Sequence, residues 1–458
     1  MGLLGIFLSL ILLMYLAYRG ITVLILAPVL SLMAVMMSGG LPILATYTQV
    51  FMQSLGGYVI TYFPLFMLGA IFGKIMADSG AARSIAERIV DGLGAGRAIL
   101  AVVLSCGVLT YGGVSLFVVA FAVYPIANAL FRRADIPKRL LPAAIALGSF
   151  TFTMTAFPGT PAIQNAIPMP FFGTNVFAAP FYGLLAGIIM LAGGTLWLNR
   201  RAAAAQTEGY GDHQATSADA SLPEDADLPS FAVAILPVIA VIVINATLTW
   251  LVFPNISAAY LAEPEYGATD LSAVAGIWAI IVSLVVSILL AVGLNLRRFG
   301  NLRESVNAGT MGSLLPIFNT ASEVGYGAVI ASLPAFALIR DVVLGLFPNN
   351  PVASLAVAVN VLAGITGSAS GGMSIALNTL GERFAEMGQA QGISMELMHR
   401  VTALASGGFD ALPHNGAVIT LLAITGLTHK KSYADIFVVA VAIPVLATIL
   451  VILLGSVF

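Results

Sequence analysis

The chain has 458 residues, of which 59% are hydrophobic and only 9% are charged, with 19 Lys and Arg against 21 Asp and Glu. Soluble domains carry roughly 25% charged residues, so a soluble enzyme, a nucleic-acid-binding protein and a disordered chain are excluded, and an all-α polytopic membrane protein is predicted. One cysteine, Cys106, and four histidines without metal-binding spacing predict neither a disulfide nor a metal site, and we expect no cofactor.

The first elements along the chain are two apolar spans, 2–18 and 20–37. Both are predicted to be retained, because no basic residue precedes them and no small-residue cleavage site separates them. Helix is expected because backbone groups in lipid must pair within their own segment. Further runs of the roughly 20 residues needed to cross a bilayer lie at 58–78, 140–172, 176–198, 231–253, 271–295, 310–335, 398–428 and 433–456.

The apolar stretch 98–130 has small residues at its centre and is predicted to be a re-entrant hairpin. Two glycines at its tip would permit positive φ and a close approach of backbone to ligand, and hydroxyl groups flank them. The alternative interpretation is tight helix packing through small residues, which is common in membranes. The tip residues assigned to substrate binding are Thr110, Tyr111, Gly112, Gly113 and Ser115.

The run 140–172 is too long for one straight crossing and contains Pro158 and Pro161. Proline stops a helix, so a broken helix is predicted, with a structural proline kink as the alternative. A half-helix that starts inside the membrane presents free N–H groups and a partial positive charge. An organic anion can be held there without a buried Lys or Arg. The residues assigned to substrate binding here are Pro158, Gly159, Thr160, Gln164 and Asn165.

Residues 199–230 are predicted to form a flexible cytoplasmic linker between the halves 1–198 and 231–458. The linker is rich in Ala, Ser and Asp, which disfavours a packed structure, and Arg200-Arg201 at its edge favour the inside. In the second half, Glu323 lies inside a predicted span, where ionisable residues indicate function. We expect it to be a proton site or the partner of a cation.

A second hairpin is predicted at 352–380, because residues 367–374 are a polar, glycine-rich cluster inside an apolar segment. Such a cluster is difficult to explain as lipid-facing, so it is assigned to the substrate site. The residues assigned to substrate binding are Ser368, Ser370, Gly371, Gly372 and Ser374.

The run 398–428 is predicted to be a second broken helix, because Pro413 and several glycines interrupt it. Asp410 and His414 lie in this interruption, and histidine titrates near neutral pH. Both are therefore predicted to carry a coupling proton, with a capping role for Asp410 as the alternative. Asn415 and Gly416, which follow them, are assigned to substrate binding.

The two halves resemble each other, which predicts two inverted-topology repeats. The segment 111–115 (YGGVS) matches 370–374 (SGGMS), and 156–158 (AFP) matches 411–413 (ALP). Basic residues favour a cytoplasmic loop at 131–139, whereas the corresponding loop 381–397 is mainly acidic and is predicted outside. Each repeat would contain five spans, a hairpin and a broken helix, with both termini outside.

At these motifs the chain resembles the gluconate:proton symporter (gluconate permease) family over essentially its whole length. The motifs are TYGGVS at 110–115, FPGTP at 157–161, SGGMS at 370–374 and DALPHNG at 410–416. Residues 111–125, 135–139 and 157–168 look most similar to the D-3-hydroxybutyrate permease branch. The resemblance implies the ion transporter superfamily, whose structurally known members are dimeric elevators. It also implies a substrate cradle built from the four motifs. The chain lacks the Ser-Asn-Thr tip motif of the sodium–dicarboxylate relatives, which disfavours sodium coupling.

The hypothesis from the sequence is a proton-coupled importer of a small hydroxy-monocarboxylate, such as 3-hydroxybutyrate or a gluconate-like sugar acid. The expected setting is the cytoplasmic (inner) membrane, as a homodimer that binds lipid, substrate anion and proton, but no nucleic acid. Proton coupling is assigned to Asp410, His414 and Glu323. A sodium-coupled or exchanging carrier is the alternative. A channel is disfavoured because no span shows a hydrophilic stripe, and an intramembrane enzyme because no metal spacing is present.

Overall fold

The computed structural model describes residues 2–211 and 228–456, and within these ranges all regular structure is helical. The prediction of an all-α protein is therefore confirmed. The helices before the linker are α1 (Gly2–Tyr18), α2 (Val23–Ser38), α3 (Ile43–Asp78), α4 (Ala81–Leu93), α5 (Ala98–Tyr111), α6 (Leu116–Arg133), α7 (Leu141–Ser149), α8 (Phe152–Thr155), α9 (Ile163–Ala166), α10 (Met169–Phe172) and α11 (Pro180–Ala204). The helices after it are α12 (Phe231–Asn255), α13 (Leu271–Arg298), α14 (Leu302–Ser332), α15 (Phe336–Gly345), α16 (Pro351–Thr366), α17 (Ala369–Ala390), α18 (Met395–Ser406), α19 (Gly416–Thr425) and α20 (His429–Gly455).

Five of the described helices are long and apolar enough to cross a membrane, namely α3, α11, α12, α13 and α20. Two bent pairs raise the number to seven if each counts as one span: α4 with α5, bent by 100°, and α14 with α15, bent by 98°. Large apolar side chains face outward, such as Leu44, 78% exposed, and Ile60, 82% exposed. The chain is a multi-pass membrane protein, whereas the count of ten spans stays a prediction.

Helices α3 and α17 extend beyond the bounds that the sequence analysis predicted. The span expected at 58–78 begins at Ile43, because the hydroxyls of Thr46 and Thr48 donate to carbonyls four residues back, at 2.9 and 2.8 Å. Polar side chains that pair in this way do not interrupt a helix. In the second half, α17 continues to Ala390, so the loop predicted at 381–397 begins as helix.

Both stretches predicted as hairpins consist of two helices joined by a short turn. Helices α5 and α6 pack against each other, as do α16 and α17. We call residues 110–115, from the end of α5 to the start of α6, the first tip, and residues 367–374, around the start of α17, the second tip. Gly113 and Gly367 take the left-handed conformation, with φ of 93° and 66°. Gly112 does not, since its φ is −74°, so only Gly113 of the two first-tip glycines uses the positive φ that glycine permits.

Both predicted breaks are present. Residues 156–162 between α8 and α9 are not helical, and we call them the first break. The second break, residues 407–415, contains one 3-10 turn, Phe409–Ala411, between α18 and α19. The side chain of Asn415, at the N-cap of α19, accepts hydrogen bonds from the N–H groups of Ala417 and Val418 at 2.6 and 3.0 Å. The alternative that Asp410 caps this helix is therefore wrong.

The centre of the molecule is the packing of α3 along α14. Glycine makes this approach possible, because a Cβ on Gly309 would lie 2.8 Å from the Cα of Ile71. Around this pair, α1 packs with α2 and α12 packs with α13. Helix α2 contacts α14, while α13 contacts α3. In each half, the second helix of a packed pair thus contacts the long helix of the other half. The two halves of the chain therefore have the same packing order.

The predicted linker 199–230 starts as helix, since α11 continues to Ala204. Glu208 then accepts hydrogen bonds from Arg139 Nε and Nη2 at 2.9 and 3.2 Å. This contact holds the pKa of the Glu208 carboxyl below its ordinary value. Residues 212–227 lie outside the described part of the chain, and after them Ser84 on α4 donates to the carbonyl of Pro229 at 2.7 Å.

A buried carboxylate joins the two halves. Asp435 on α20 is 2% exposed and accepts hydrogen bonds from three side chains of the first half. They are Arg201 Nε at 2.9 Å, Trp197 Nε1 at 3.1 Å and Arg139 Nη1 at 3.2 Å. Charge-assisted bonds of this kind are the stronger ones, so this group fixes α20 to α11 and to the start of α7.

Candidate functional site

The first tip rests on the first break. The hydroxyl of Tyr111 donates to the carbonyl of Pro158 at 2.6 Å, and its ring meets that of Phe157 edge-on, with centroids 6.0 Å apart. A Cβ on Gly113 would lie 2.9 Å from Pro161 Cγ. The first tip and the first break are therefore held together by Tyr111 on Pro158 and by Gly113 against Pro161.

The remaining first-tip residues differ in whether they leave a polar atom available to a ligand. Gly112 lies against Val238 of α12, where an added Cβ would overlap the valine side chain. Ser115 begins α6 without capping it through its side chain. Thr110 is 4% exposed, and its hydroxyl has no hydrogen-bond partner among the described residues. Only Thr110 thus keeps a buried polar atom free for a ligand.

The first break is held by its own polar groups. Gly159, with φ of 86°, donates its N–H to the carbonyl of Val176 at 2.9 Å. The side chain of Asn165 donates to the carbonyls of Thr160 and Val176 at 3.1 and 2.8 Å, and the hydroxyl of Thr160 accepts from Ala162 N at 3.3 Å. The side chain of Asn165, which was assigned to substrate binding, is therefore engaged in closing the break.

Gln164, the neighbour of Asn165, is different. It is 7% exposed, and its side-chain carbonyl oxygen has no partner among the described residues. It lies on α9, which has only four residues and is too short to develop the partial charge of a half-helix. The expected anion site at a half-helix N-terminus is therefore not formed at the first break.

The sequence analysis missed two buried residues in the middle of α18. Arg400 is fully buried and donates to the carbonyls of Ala178, Val176 and Thr155 at distances of 2.9 to 3.4 Å. His399 contacts Thr174 Oγ1 at 2.6 Å and Asn165 Oδ1 at 3.1 Å. Arg400 thus places a buried guanidinium beside the first break, where the sequence analysis considered anion binding without a buried Lys or Arg. The signal that could have found the pair is its position inside the apolar run 398–428.

The second tip is polar. Ser368 is the N-cap of α17 and accepts from Gly371 N at 3.0 Å. Its hydroxyl also lies 3.4 Å from that of Ser370, which is 3.3 Å from the hydroxyl of Thr320 on α14. Ser368 and Ser370 therefore form a line of hydroxyls between the tip and α14.

A carboxyl group lies beside this line. Glu323 on α14 is 3% exposed, and its Oε2 lies against Gly371, where a Cβ would overlap it. That oxygen has no hydrogen-bond partner among the described residues, and neither does the hydroxyl of the fully buried Ser374 or that of Tyr58 on α3. Glu323 also forms no ion pair within the described ranges. Three helices thus place unsatisfied polar atoms at one end of α17.

Tyr58 was not predicted from the sequence, nor was its neighbour Tyr62. Their rings lie 4.7 Å apart, and the hydroxyl of Tyr62 donates to the carbonyl of Ile167 at 3.3 Å. Ile167 directly follows α9, the helix of Gln164, and α9 packs against α17. Tyr62 therefore contacts the end of α9, which carries Gln164, and Tyr58 lies near Ser374 on α17.

The second break contacts the second tip. The amide of Asn415 donates to the carbonyl of Gly367 at 2.8 Å, and a Cβ on Gly367 would lie 2.9 Å from His414 Cδ2. His414 Nε2 has no partner among the described residues. The side chain of Asn415 is engaged both in capping α19 and in bonding to the second tip. Gly416 is exposed. Only His414 in this group keeps a free buried atom.

Asp410 lies elsewhere in the second break. Its Oδ1 is buried without a partner among the described residues. Nearby, Tyr433 on α20 donates to the carbonyl of Ala411 at 3.1 Å. The structure therefore does not bring the three predicted proton residues together: His414 faces the second tip from the break, Glu323 faces it from α14, and Asp410 lies towards α20.

The second break lies against the end of α8, where a Cβ on Gly407 would lie 2.7 Å from Thr155 Cγ2. Gly372, assigned to the substrate, instead lets α17 lie against α16, since a Cβ there would overlap the backbone of Ala363. Among the described residues, no group of three or more His, Cys, Asp and Glu is arranged to hold a metal ion. The site is thus a set of buried hydroxyl, amide and carboxyl groups between hairpins and breaks.

Comparison with known proteins adds to this geometry. The model of the GntP family of permeases matches residues 1–457. The transporter YxjC of Bacillus subtilis (strain 168), described as uncharacterized, is 47% identical over 454 residues, which is 96% of each chain. A gluconate permease of Bacillus licheniformis is 31% identical over 147 residues, or 31% of each chain.

Two solved structures share the fold. The YdaH transporter of Alcanivorax borkumensis matches with a TM-score of 0.56 and 17% identity, over 90% of this chain and 88% of that one. MtrF of Neisseria gonorrhoeae, placed in a class of antimetabolite efflux pumps, matches with a TM-score of 0.56 and 13% identity, over 91% and 84% of the two chains. These likenesses indicate the helical architecture of a membrane transporter.

Proposed function

The chain belongs to the GntP family of permeases, and from this membership we propose that it is a proton-coupled symporter of a small hydroxy-monocarboxylate. 3-Hydroxybutyrate and gluconate-like sugar acids are the proposed substrates. The chain is a secondary transporter of organic anions and not an enzyme.

The observation that carries the proposal is the environment of Glu323. Its carboxyl group is buried, has an oxygen without a partner and forms no ion pair within the described ranges. A charge buried in this way is costly, and ionisable residues inside membranes usually belong to ion pathways. Glu323 would therefore take up a proton with the substrate and release it on the other side. Asp410 and His414, each with an unpartnered buried atom, are the proposed further proton carriers.

The substrate would lie between α9 and α17. Gln164 and Ser374 have unpartnered polar atoms there, and Tyr58 has an unpartnered hydroxyl beside Glu323. Amide and hydroxyl groups of this kind can donate to a carboxylate and bond to substrate hydroxyls. Leaving such groups buried and unpaired is unfavourable, and a hydroxy-acid would satisfy them. The hydroxyls of Thr110, Ser368 and Ser370 would extend this cradle.

The proposed motion is that of an elevator in a homodimer. The hairpins and breaks would move as one body, while α3 and α14, with α1, α2, α12 and α13, would form the scaffold. Support comes from the repeated order of packing in the two halves, which is expected of inverted repeats. The domain division proposed is therefore 1–198 and 231–458, one repeat in each.

The test is uptake by purified protein in proteoliposomes. In sodium-free buffer with an imposed inward proton gradient, labelled 3-hydroxybutyrate or gluconate should accumulate above its external concentration. A protonophore should abolish the accumulation. Butyrate, which lacks the hydroxyl, is the matched control and should compete weakly.

Two outcomes would contradict the proposal. Accumulation that needs sodium and ignores the proton gradient would favour the sodium-coupled alternative. Exchange of internal for external acid without net accumulation would favour an exchanging carrier.

A further inference from the structure

A cleft lies between α4 and the last turns of α6, away from the two tips. Its volume is about 350 Å³, and an adjoining cleft of about 360 Å³ shares part of its lining. The two together are lined by Arg83, Glu87, Val90, Pro125, Ile126, Asn128, Ala129, Leu130, Arg132 and Arg133. The lining combines an apolar floor with a charged rim.

The charge of the rim is positive. Arg83 pairs with Glu87 across one helical turn, at 2.6 Å, and these two charges balance. Arg132 and Arg133 carry no ion pair within the described ranges, and the guanidinium of Arg132 lies over the ring of Tyr210, 5.1 Å from its centroid. Two arginine charges in adjacent positions thus remain available to an anion.

The position of α4 suggests where the cleft lies relative to the bilayer. Helix α4 buries Ala82, Ile85 and Ala86 against the protein and exposes Arg88 and Asp91, so its charged face points away from the helical core. It is bent by 100° from the helical segment that leads into the first hairpin. A helix at a right angle to a membrane-embedded helix runs along the membrane surface.

We propose that this cleft binds an anionic phospholipid, with the phosphate between Arg132 and Arg133 and the upper acyl chain on Pro125, Ile126 and Ala129. Basic pockets beside membrane helices bind anionic headgroups, and arginine matches phosphate geometrically. The apolar floor favours a lipid over a free phosphate ion, because an inorganic anion gains nothing from Val90 or Ile126.

The test is a titration of delipidated full-length protein with phosphatidylglycerol in neutral detergent, followed by native mass spectrometry. The wild type should bind phosphatidylglycerol more tightly than phosphatidylcholine. The double variant Arg132→Gln with Arg133→Gln should bind it about tenfold more weakly. The matched control replaces the adjacent pair Arg297 and Arg298 at the end of α13 by Gln and should leave binding unchanged.

A second variant keeps the test decisive if the double variant does not fold. Ala129 is exposed on the cleft wall, so Ala129→Trp should fill the cleft, keep the charges and still weaken phosphatidylglycerol binding. Equal binding by Ala129→Trp and wild type would overturn the proposal. Binding of inorganic phosphate that also depends on Arg132 and Arg133 would overturn it in favour of a free-anion site.

Discussion

The two hairpin tips have similar sequences but different surroundings. The first tip lies among apolar and backbone groups, with Gly112 against Val238 and Gly113 against Pro161. The second tip lies among hydroxyls and a carboxyl, with Ser370 beside Thr320 and Gly371 beside Glu323. The matching glycine pairs do not occupy equivalent places, since Gly112 and Gly113 form a turn whereas Gly371 and Gly372 lie in the first turn of α17.

This difference suggests a division of labour between the repeats. Small residues in the first tip serve close packing, which fixes the hairpin on its break. Small residues in the second tip let a carboxyl group approach the start of a long helix, where N–H groups are free. We therefore expect that variants at the first tip mainly change stability, and that variants at the second tip mainly change coupling.

The largest effect is expected for Glu323→Gln. The variant keeps the shape of the side chain but cannot exchange a proton, so pH-driven accumulation should be lost completely. Counterflow of labelled substrate, which needs no net proton movement, should remain within a few-fold of wild type. Glu304→Gln, on the exposed first turn of the same helix, is the matched control. Accumulation by Glu323→Gln at the wild-type level would assign coupling to another residue, with Asp410 and His414 the next to replace.

Gly371→Ala should be nearly as damaging to transport. The added methyl would overlap Glu323 Oε2, so the carboxyl or the start of α17 must move. Uptake should fall at least about tenfold, since small displacements of a reacting group reduce rates strongly. Gly312→Ala is the control, because a Cβ on this α14 glycine meets nothing within 4 Å. Normal uptake by Gly371→Ala would show that transport tolerates packing changes at the second tip, as it is expected to do at the first tip.

Gly112→Ala should have a smaller effect of a different kind. The methyl would overlap Val238, and overpacking of this sort costs about 1 to 3 kcal/mol, visible as a lower Tm. The double variant with Val238→Ala should recover both the Tm and uptake, because the valine only fills space. If the double variant regains its Tm but still does not transport, the first tip also has a direct role in binding.

The smallest effect is expected for Ser370→Ala. The change removes two long contacts, of 3.3 Å to Thr320 and 3.4 Å to Ser368, and one net hydrogen bond contributes about 0.5 to 1.5 kcal/mol. The KM for substrate should rise a few-fold without loss of coupling. The double variant with Thr320→Val should add little beyond the single ones. A loss of pH-driven accumulation would instead make Ser370 part of the proton path.

The sequence predicted what local chemistry decides. Clusters of glycine and proline disfavour a continuous helix, so the turns at Gly113 and Gly367 and the break at Pro158 were predictable. A single proline was not a sufficient signal, since Pro64 and Pro316 lie inside helices. Pairing between distant segments was not. No local pattern shows that Asn165 closes its own break, that Tyr58 lies near Ser374, or that Arg400 caps carbonyls at Val176 and Ala178. The start of α3 was missed because its threonines looked polar, although each bonds within the helix.

The carboxylate of Asp435 has a consequence for biogenesis. Its partners Trp197 and Arg201 are translated more than two hundred residues earlier. Their hydrogen-bond acceptor, Asp435, is therefore synthesised only near the end of the polypeptide. A nascent chain released before that residue would leave Arg201 without the carboxylate that it pairs with in the folded chain. Such truncated products should be short-lived in the cell, and the two gene halves should need to be co-expressed to yield a stable protein.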